Sequence, residues 1–186
     1  REGYGNLCEV ITRGRMQAVK GQYFLQPQDV VTDGCLAILI PASDVTPAAF
    51  AKQLDWLSQN FSTRCWVGIS RLHRAQETTH LHALQTLAQT YGIPCVALGQ
   101  VEMHKRSRKA LHDILTAIRL RKTVAQCGYA LASNAEQHLR TRLRLSNLYT
   151  PELLLQTISI AEQCHFSLDE LRYEYPEEVV PTGYSA

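Results

Sequence analysis

The chain reads as an α/β protein in which parallel strands are joined by crossover helices. Three observations predict this. Short apolar runs begin at Cys35, Cys65 and Cys95, a spacing of 30 residues. Between them lie segments with apolar residues at helical spacing. Connections of that length suit parallel strands with right-handed crossovers, because a tight turn can join only antiparallel neighbours.

In chain order, the first predicted element is a helix over Tyr4–Val19, opened by Gly5 and Asn6 and closed by Lys20-Gly21. Leu7, Val10, Ile11 and Met16 form its stripe. Cys35–Ile40 is a continuous apolar run stopped by Pro41, the pattern of a strand buried on both faces. Thr46-Pro47 supplies an N-cap and a first-turn proline, opening a helix to about Asn60 with Phe50, Leu54 and Leu57 inward. Cys65–Ser70 is the second strand, and Glu77–Tyr91 a helix with Leu81, Leu84 and Leu87 at its spacing. Gly92 and Pro94 terminate it. Cys95–Leu98 is the third strand. It leads through a polar turn and a basic cluster into a helix over Lys109–Leu120, with Leu111, Ile114, Leu115 and Ile118 on one face. Tyr129–Leu145 lacks periodicity and reads as a loop with a short helix. Thr150-Pro151-Glu152 then starts a helix through Gln163, and Phe166–Pro181 reads as an acidic, aromatic, extended connection. Trp56 and Trp66 are expected in the core.

The chain has 186 residues, 45% of them hydrophobic, enough for one domain or one domain with an appended segment. No apolar run approaches the roughly 18 residues of a membrane span. Arg1-Glu2-Gly3-Tyr4-Gly5 has neither a Met nor an apolar signal core, so the expected reading is a processed or internal start within a longer chain. The six cysteines are spread without a Cys-x-x-Cys pair, which favours reduced thiols and a cytoplasmic location. Net charge is +2, but residues 104–144 carry ten Lys/Arg against two Asp/Glu. That segregation suits a chain that faces a polyanion on one side.

The chemistry-bearing motifs are few. His80 and His82 lie two apart on a helix and diverge. Gln100, Glu102 and His104 alternate after a strand and would share a side if that strand continued. That arrangement offers one carboxylate and one imidazole, short of the three protein ligands a hydrolytic metal centre uses. There is no Gly-x-Ser-x-Gly elbow, and Gly99 and Gly128 are isolated, so no phosphate-cradling loop forms. Cys35, Cys65 and Cys95 open strands, a poor position for thiolate nucleophiles. Lys105, Arg106, Arg108 and Lys109 are the candidate DNA contacts, because phosphate recognition needs little beyond clustered cations.

Two blocks carry a family resemblance: GQVEMHKRSRKALHDILTAIRLRKTVAQCG over Gly99–Gly128, and SLDELRYEYPEE over Ser167–Glu178. The chain resembles the alpha subunit of bacterial C-family replicative polymerases in its error-prone, damage-tolerance form. The matching part is the polymerase and histidinol phosphatase (PHP) domain, running on toward the palm. The resemblance extends from Gly3-Tyr4-Gly5-Asn6-Leu7 to Pro181 and is weakest over Pro41–Thr63.

It implies the C-terminal part of a PHP domain, part of a distorted (β/α)7 barrel, over residues 1–128, followed by a helical and extended connector and the start of the palm region over 129–186. It also implies DNA as a partner of the parent polymerase in replication and repair of damaged DNA, alongside other polymerase domains and damage-response proteins. Magnesium is implied only at palm carboxylates beyond Ala186. In metal-competent PHP domains the turn after this strand reads Asp-Val-His; here Gln100 and Glu102 take the ligand positions, Leu72 takes a third, and His73 is one residue out of register. The expected fragment is therefore a structural domain with a degenerate metal site, bound to no metal and catalytically inactive by itself. A metal-dependent phosphoesterase or exonuclease, and a stand-alone nucleic-acid-binding module, are the alternatives. A partial barrel would also leave open edges and promote self-association of the fragment.

Overall fold

A computed structural model describes residues 1–172. The chain forms two compact units, one of residues 36–163 and one that joins residues 1–35 to the segment from Cys164 onward.

The larger unit is built on a three-stranded parallel sheet in the order β1-β2-β3: β1 is Ala37–Leu39, β2 Cys65–Ser70 and β3 Cys95–Leu98. The register pairs Ala37 with Cys65 and Leu39 with Val67, then Val67 with Cys95 and Ser70 with Leu98. The predicted α/β class and the parallel sense of the strands therefore hold over these residues. β2 is central and buried almost throughout, and Gly68 within it has a packing reason. A Cβ there would lie 3.0 Å from the Leu98 side chain and 3.3 Å from that of Ile38.

β1 departs from expectation. It is three residues long, and Ile38 and Ile40 are exposed, where the apolar run predicted burial on both faces. The reason is its place at the edge of the sheet. Cys35 is drawn into a turn, its amide bonded to the Thr32 carbonyl at 3.2 Å, and the ladder begins only at Ala37.

Helix α2 (Pro47–Phe61) starts where Thr46-Pro47 placed it, and the Thr46 hydroxyl accepts the Ala49 amide at 3.2 Å. It buries Phe50, Leu54, Leu57 and Phe61, while α3 (Glu77–Thr90) buries Leu81, Leu84 and Ala88. Together with Val67, Ile69 and Val96 these form the core. Trp66 is buried and its indole N–H donates to Gln156 Oε1 at 2.8 Å; Trp56 is half-buried, edge-on to Phe61. Helix α4 (Lys109–Leu120) and the single turn α5 (Val124–Cys127) pack on each other. The segment after Gly128 holds α6 (Arg142–Leu148) and α7 (Pro151–Glu162), and α7 lies along β3. Thr150 takes the N-cap place of α7, with its hydroxyl bonded to the Glu152 carboxylate instead of a backbone amide.

In the smaller unit the first helix of the chain runs Glu2–Met16, three residues short of the predicted end. Beyond it the chain doubles back so that Tyr23 covers Gly14, where a Cβ would sit 2.4 Å from the ring, and the Phe24 amide bonds the Gly14 carbonyl at 2.9 Å. Tyr4 stacks on Phe166 at 4.8 Å. Ser167 caps the turn Leu168–Glu170 through a reciprocal capping box. The rest of the predicted extended tail, from Tyr173 on, lies outside the described residues.

Among the described residues no helix is long and apolar enough to cross a membrane. None of the six cysteines forms a disulfide. Burial pushes the Cys95 thiol up to about 11 and raises Cys65, so both stay protonated near neutrality.

Candidate site at the carboxyl ends of the strands

Parallel α/β sheets place chemistry beyond the carboxyl ends of their strands, where loops converge and backbone groups are unpaired. Here those ends are knitted together by the segment between α5 and α7. Tyr149, buried with 4% of its surface exposed, clamps two strands: its hydroxyl donates to the Leu98 carbonyl at 2.8 Å and accepts the Arg71 amide at 3.0 Å. Asn134 donates to the Leu72 carbonyl at 2.7 Å. The amides of Glu102 and Met103 donate to the Gln137 carbonyl at 2.9 and 3.0 Å, and the Leu139 amide donates to Met103.

The centre of this network is an ion cluster. The Arg140 side chain is 1% exposed, and its Nη2 donates to the carbonyls of Arg71 at 2.7 Å and Glu136 at 2.9 Å. The Glu136 carboxylate, 12% exposed, lies 3.5 Å from Arg140, 2.7 Å from Arg106 and 3.9 Å from His73. Burial opposes ionisation of Glu136, but the Arg106 hydrogen bond and the charges of Arg106, His73 and Arg140 outweigh it and hold its pKa below the usual carboxylate range. Nε and Nη1 of Arg140 are buried with no hydrogen-bond partner among the described residues.

Next to this lies a cavity of about 110 Å³ at the strand ends, lined among others by Ser43, Ser70, Glu77, His80 and Gln100. The Ser70 hydroxyl is buried there without a partner, and Glu77 Oε1 accepts the amides of Leu72 at 2.5 Å and Arg74 at 3.5 Å. His73, Gln76 and Gln100, in the two loops that follow β2 and β3, all have positive φ (53°, 56° and 44°).

That left-handed turn at Gln100 decides the fate of the alternating Gln100, Glu102 and His104. β3 ends at Leu98, so the alternation does not continue, and the three do not share a side. Gln100 lines the strand-end cavity, whereas Glu102 and His104 line a separate depression of about 390 Å³ against α4. Glu102 is there engaged by His112 Nε2 at 2.7 Å. His73 faces Glu136, and Leu72 is buried.

The described residues at the strand ends offer, by themselves, too few donors for a catalytic metal. The cavity offers one carboxylate that already accepts two amides, one imidazole and neutral amide and hydroxyl oxygens. A buried guanidinium sits on the carbonyl just past β2, where it would repel a divalent cation. Among the described residues no group of three or more His, Cys, Asp or Glu lies close enough to hold a metal ion.

Of the four candidate DNA contacts, Arg106 is tied to Glu136, and Lys109 is paired with Asp113 at 2.7 Å. Lys105 and Arg108 are exposed. Sequence reasoning missed the Glu136–Arg140 pair and Tyr149. One signal was present: Glu136 is the only acid between Asp113 and Glu152, with Arg140 four residues on.

No protein-family model matches the chain. It is 50% identical over 196 aligned residues to a protein named error-prone DNA polymerase from Bordetella parapertussis, with 100% of this chain and 19% of that relative aligned. The corresponding protein of Dechloromonas aromatica is 44% identical over 190 residues, covering 98% of this chain and 18% of the relative. That of Burkholderia mallei is 43% identical over 196 residues, covering 100% and 18%. Along 98–100% of its length this chain is thus similar to proteins named error-prone DNA polymerase, and it spans 18–19% of theirs.

Proposed function

We propose that this chain is the PHP-type portion of an error-prone DNA polymerase, part of a distorted (β/α)7 barrel, and that its work there is structural. It holds the strand-end loops rigid and so braces neighbouring polymerase segments during DNA synthesis across lesions, in a cytoplasmic enzyme whose own chemistry lies elsewhere in the chain. One observation carries this reading: Arg140, paired with Glu136, sets a buried cation and cross-loop hydrogen bonds beside the strand-end cavity, where Gln100 and Glu102, the ligand positions the resemblance implies, open onto different depressions. Hydrolytic PHP chemistry would need the opposite, an anionic pocket in which carboxylates and imidazoles converge.

The experiment is a comparison in the complete polymerase of Arg140→Met with the parent. The structural reading expects loss of thermal stability and of lesion bypass together, with no phosphoesterase activity in either protein. Release of a phosphoester by the parent, abolished by Glu77→Gln and His80→Ala, would overturn it in favour of a hydrolase.

A further inference from the structure

A second group of cations lies beyond the basic cluster at Lys105–Lys109. Residues 114–135 contain three cations, Arg119, Arg121 and Lys122, and no acid. All three are exposed at the C-terminal end of α4, and none takes part in an ion pair among the described residues. The chain leaves α4 through a Schellman-type turn: the Arg121 amide bonds Ile118 at 3.1 Å, and the Lys122 amide bonds Ala117 at 3.0 Å. Arg121 holds the left-handed position of that turn (φ 54°), which ordinarily falls to glycine. Thr123 and Gln126 then close a capping box on α5, which packs back on α4 with Cys127 buried beneath it.

The next residue but one is Tyr129. It stands in the turn Gly128–Ala130 with a relative exposure of 108%, its whole ring in solvent. Cations at a helix C-terminus are favoured by the helix dipole, which accounts for Arg119, Arg121 and Lys122. It does not account for the ring, since an aromatic side chain ordinarily buries most of its large apolar surface. A bare ring in the turn that follows α5, seven to ten residues beyond three exposed cations on the helix against which α5 packs, has the composition of a single-strand binding surface: cations follow the phosphates while the ring stacks on an unpaired base.

We propose that Arg119, Arg121, Lys122 and Tyr129 form a contact surface for single-stranded DNA, with Tyr129 as the stacking platform. This rests on the polymerase reading, which supplies an unpaired template strand. Recognition is independent of sequence, because every base presents a π face and phosphates carry no base identity.

The test uses the complete polymerase and a single-stranded oligodeoxynucleotide carrying 5-iodouracil. Photo-crosslinking should place the DNA on the peptide that contains Tyr129, and unmodified single strand should compete it away. Tyr129→Ala should lower the crosslink yield roughly tenfold and Tyr129→Phe should retain it, as removal of one base stack requires. Arg121→Gln should make the dependence of that yield on log salt shallower by about 0.7, the share of one phosphate on a single strand. A crosslink map without Gly128–Ala130, or a yield unchanged in Tyr129→Ala, overturns the proposal. So does protection of Tyr129 from hydroxyl-radical oxidation in the DNA-free polymerase, which would assign the surface to a protein contact. Primer extension in the same preparation separates the two readings. Extension without the crosslink removes this surface alone; the crosslink without extension removes the polymerase reading and leaves a strand-binding module.

Discussion

Glu136 and Arg140 show how one residue pair sets the chemistry of the strand ends. Arg140 is buried, so removing its counter-charge leaves a cation in a poorly solvated place. Glu136→Ala should cost about 3 kcal/mol in urea unfolding, near the low end for a broken buried pair because the Arg71 and Glu136 carbonyls still accept from the guanidinium. Arg106→Ala removes the more exposed partner of the same carboxylate, whose side chain is 54% exposed, and should cost less than about 1 kcal/mol. The pH dependence follows in sign. The pKa of Glu136 is lowered by folding, so its contribution is complete above its unfolded pKa and is lost as pH falls through the folded one. Below about pH 4.3 the parent should therefore lose stability more steeply than Glu136→Gln, a difference read from thermal midpoints across a pH series. A parallel pair of curves would mean that the carboxylate is not held by the cluster.

At the scale of elements, the strands and helices were legible in proportion to how local their determinants are. Thr46-Pro47 and Thr150-Pro151 marked helix starts because capping depends on adjacent residues, and Cys65–Ser70 and Cys95–Leu98 were found to the residue because buried strands are continuously apolar. β1 was over-read because apolarity alone does not tell an edge strand from a central one. The strand-end network could not be seen in the sequence. Asn134, Arg140 and Tyr149 reach Arg71, Leu72 and Leu98 across separations of 51 to 78 residues, and no periodicity encodes such contacts. The side shared by Gln100, Glu102 and His104 also dissolved for a local reason, the left-handed turn at Gln100. Tyr149 gives the clearest test of this scale. Tyr149→Phe removes the hydroxyl that joins the ends of β2 and β3 and takes away the partner of a part-buried amide and carbonyl. The expected loss is about 1–3 kcal/mol by chemical denaturation. A variant as stable as the parent would show that the clamp is dispensable.

For the whole molecule, the arrangement of apolar surface fits a part of something larger. Leu111, Ile114, Leu115 and Ile118 of α4 are 47%, 47%, 57% and 67% exposed, although they form the apolar face of an amphipathic helix. In addition to the exposed Ile38 and Ile40 of the edge strand, they leave apolar surface that a lone domain would ordinarily cover. The 186-residue chain alone should therefore self-associate with rising concentration, and Leu115→Lys with Ile118→Lys should reduce that association in sedimentation velocity. A chain that stays monomeric throughout would contradict this.

The most direct test of the structural reading is the metal content of the purified chain after exposure to excess zinc or manganese and removal of free ion. Well under one equivalent is the predicted result, because Arg140 and the dispersed Gln100 and Glu102 leave no anionic pocket. A stoichiometric ion, lost on Glu77→Gln or His80→Ala, would contradict it and make the strand ends a working metal centre.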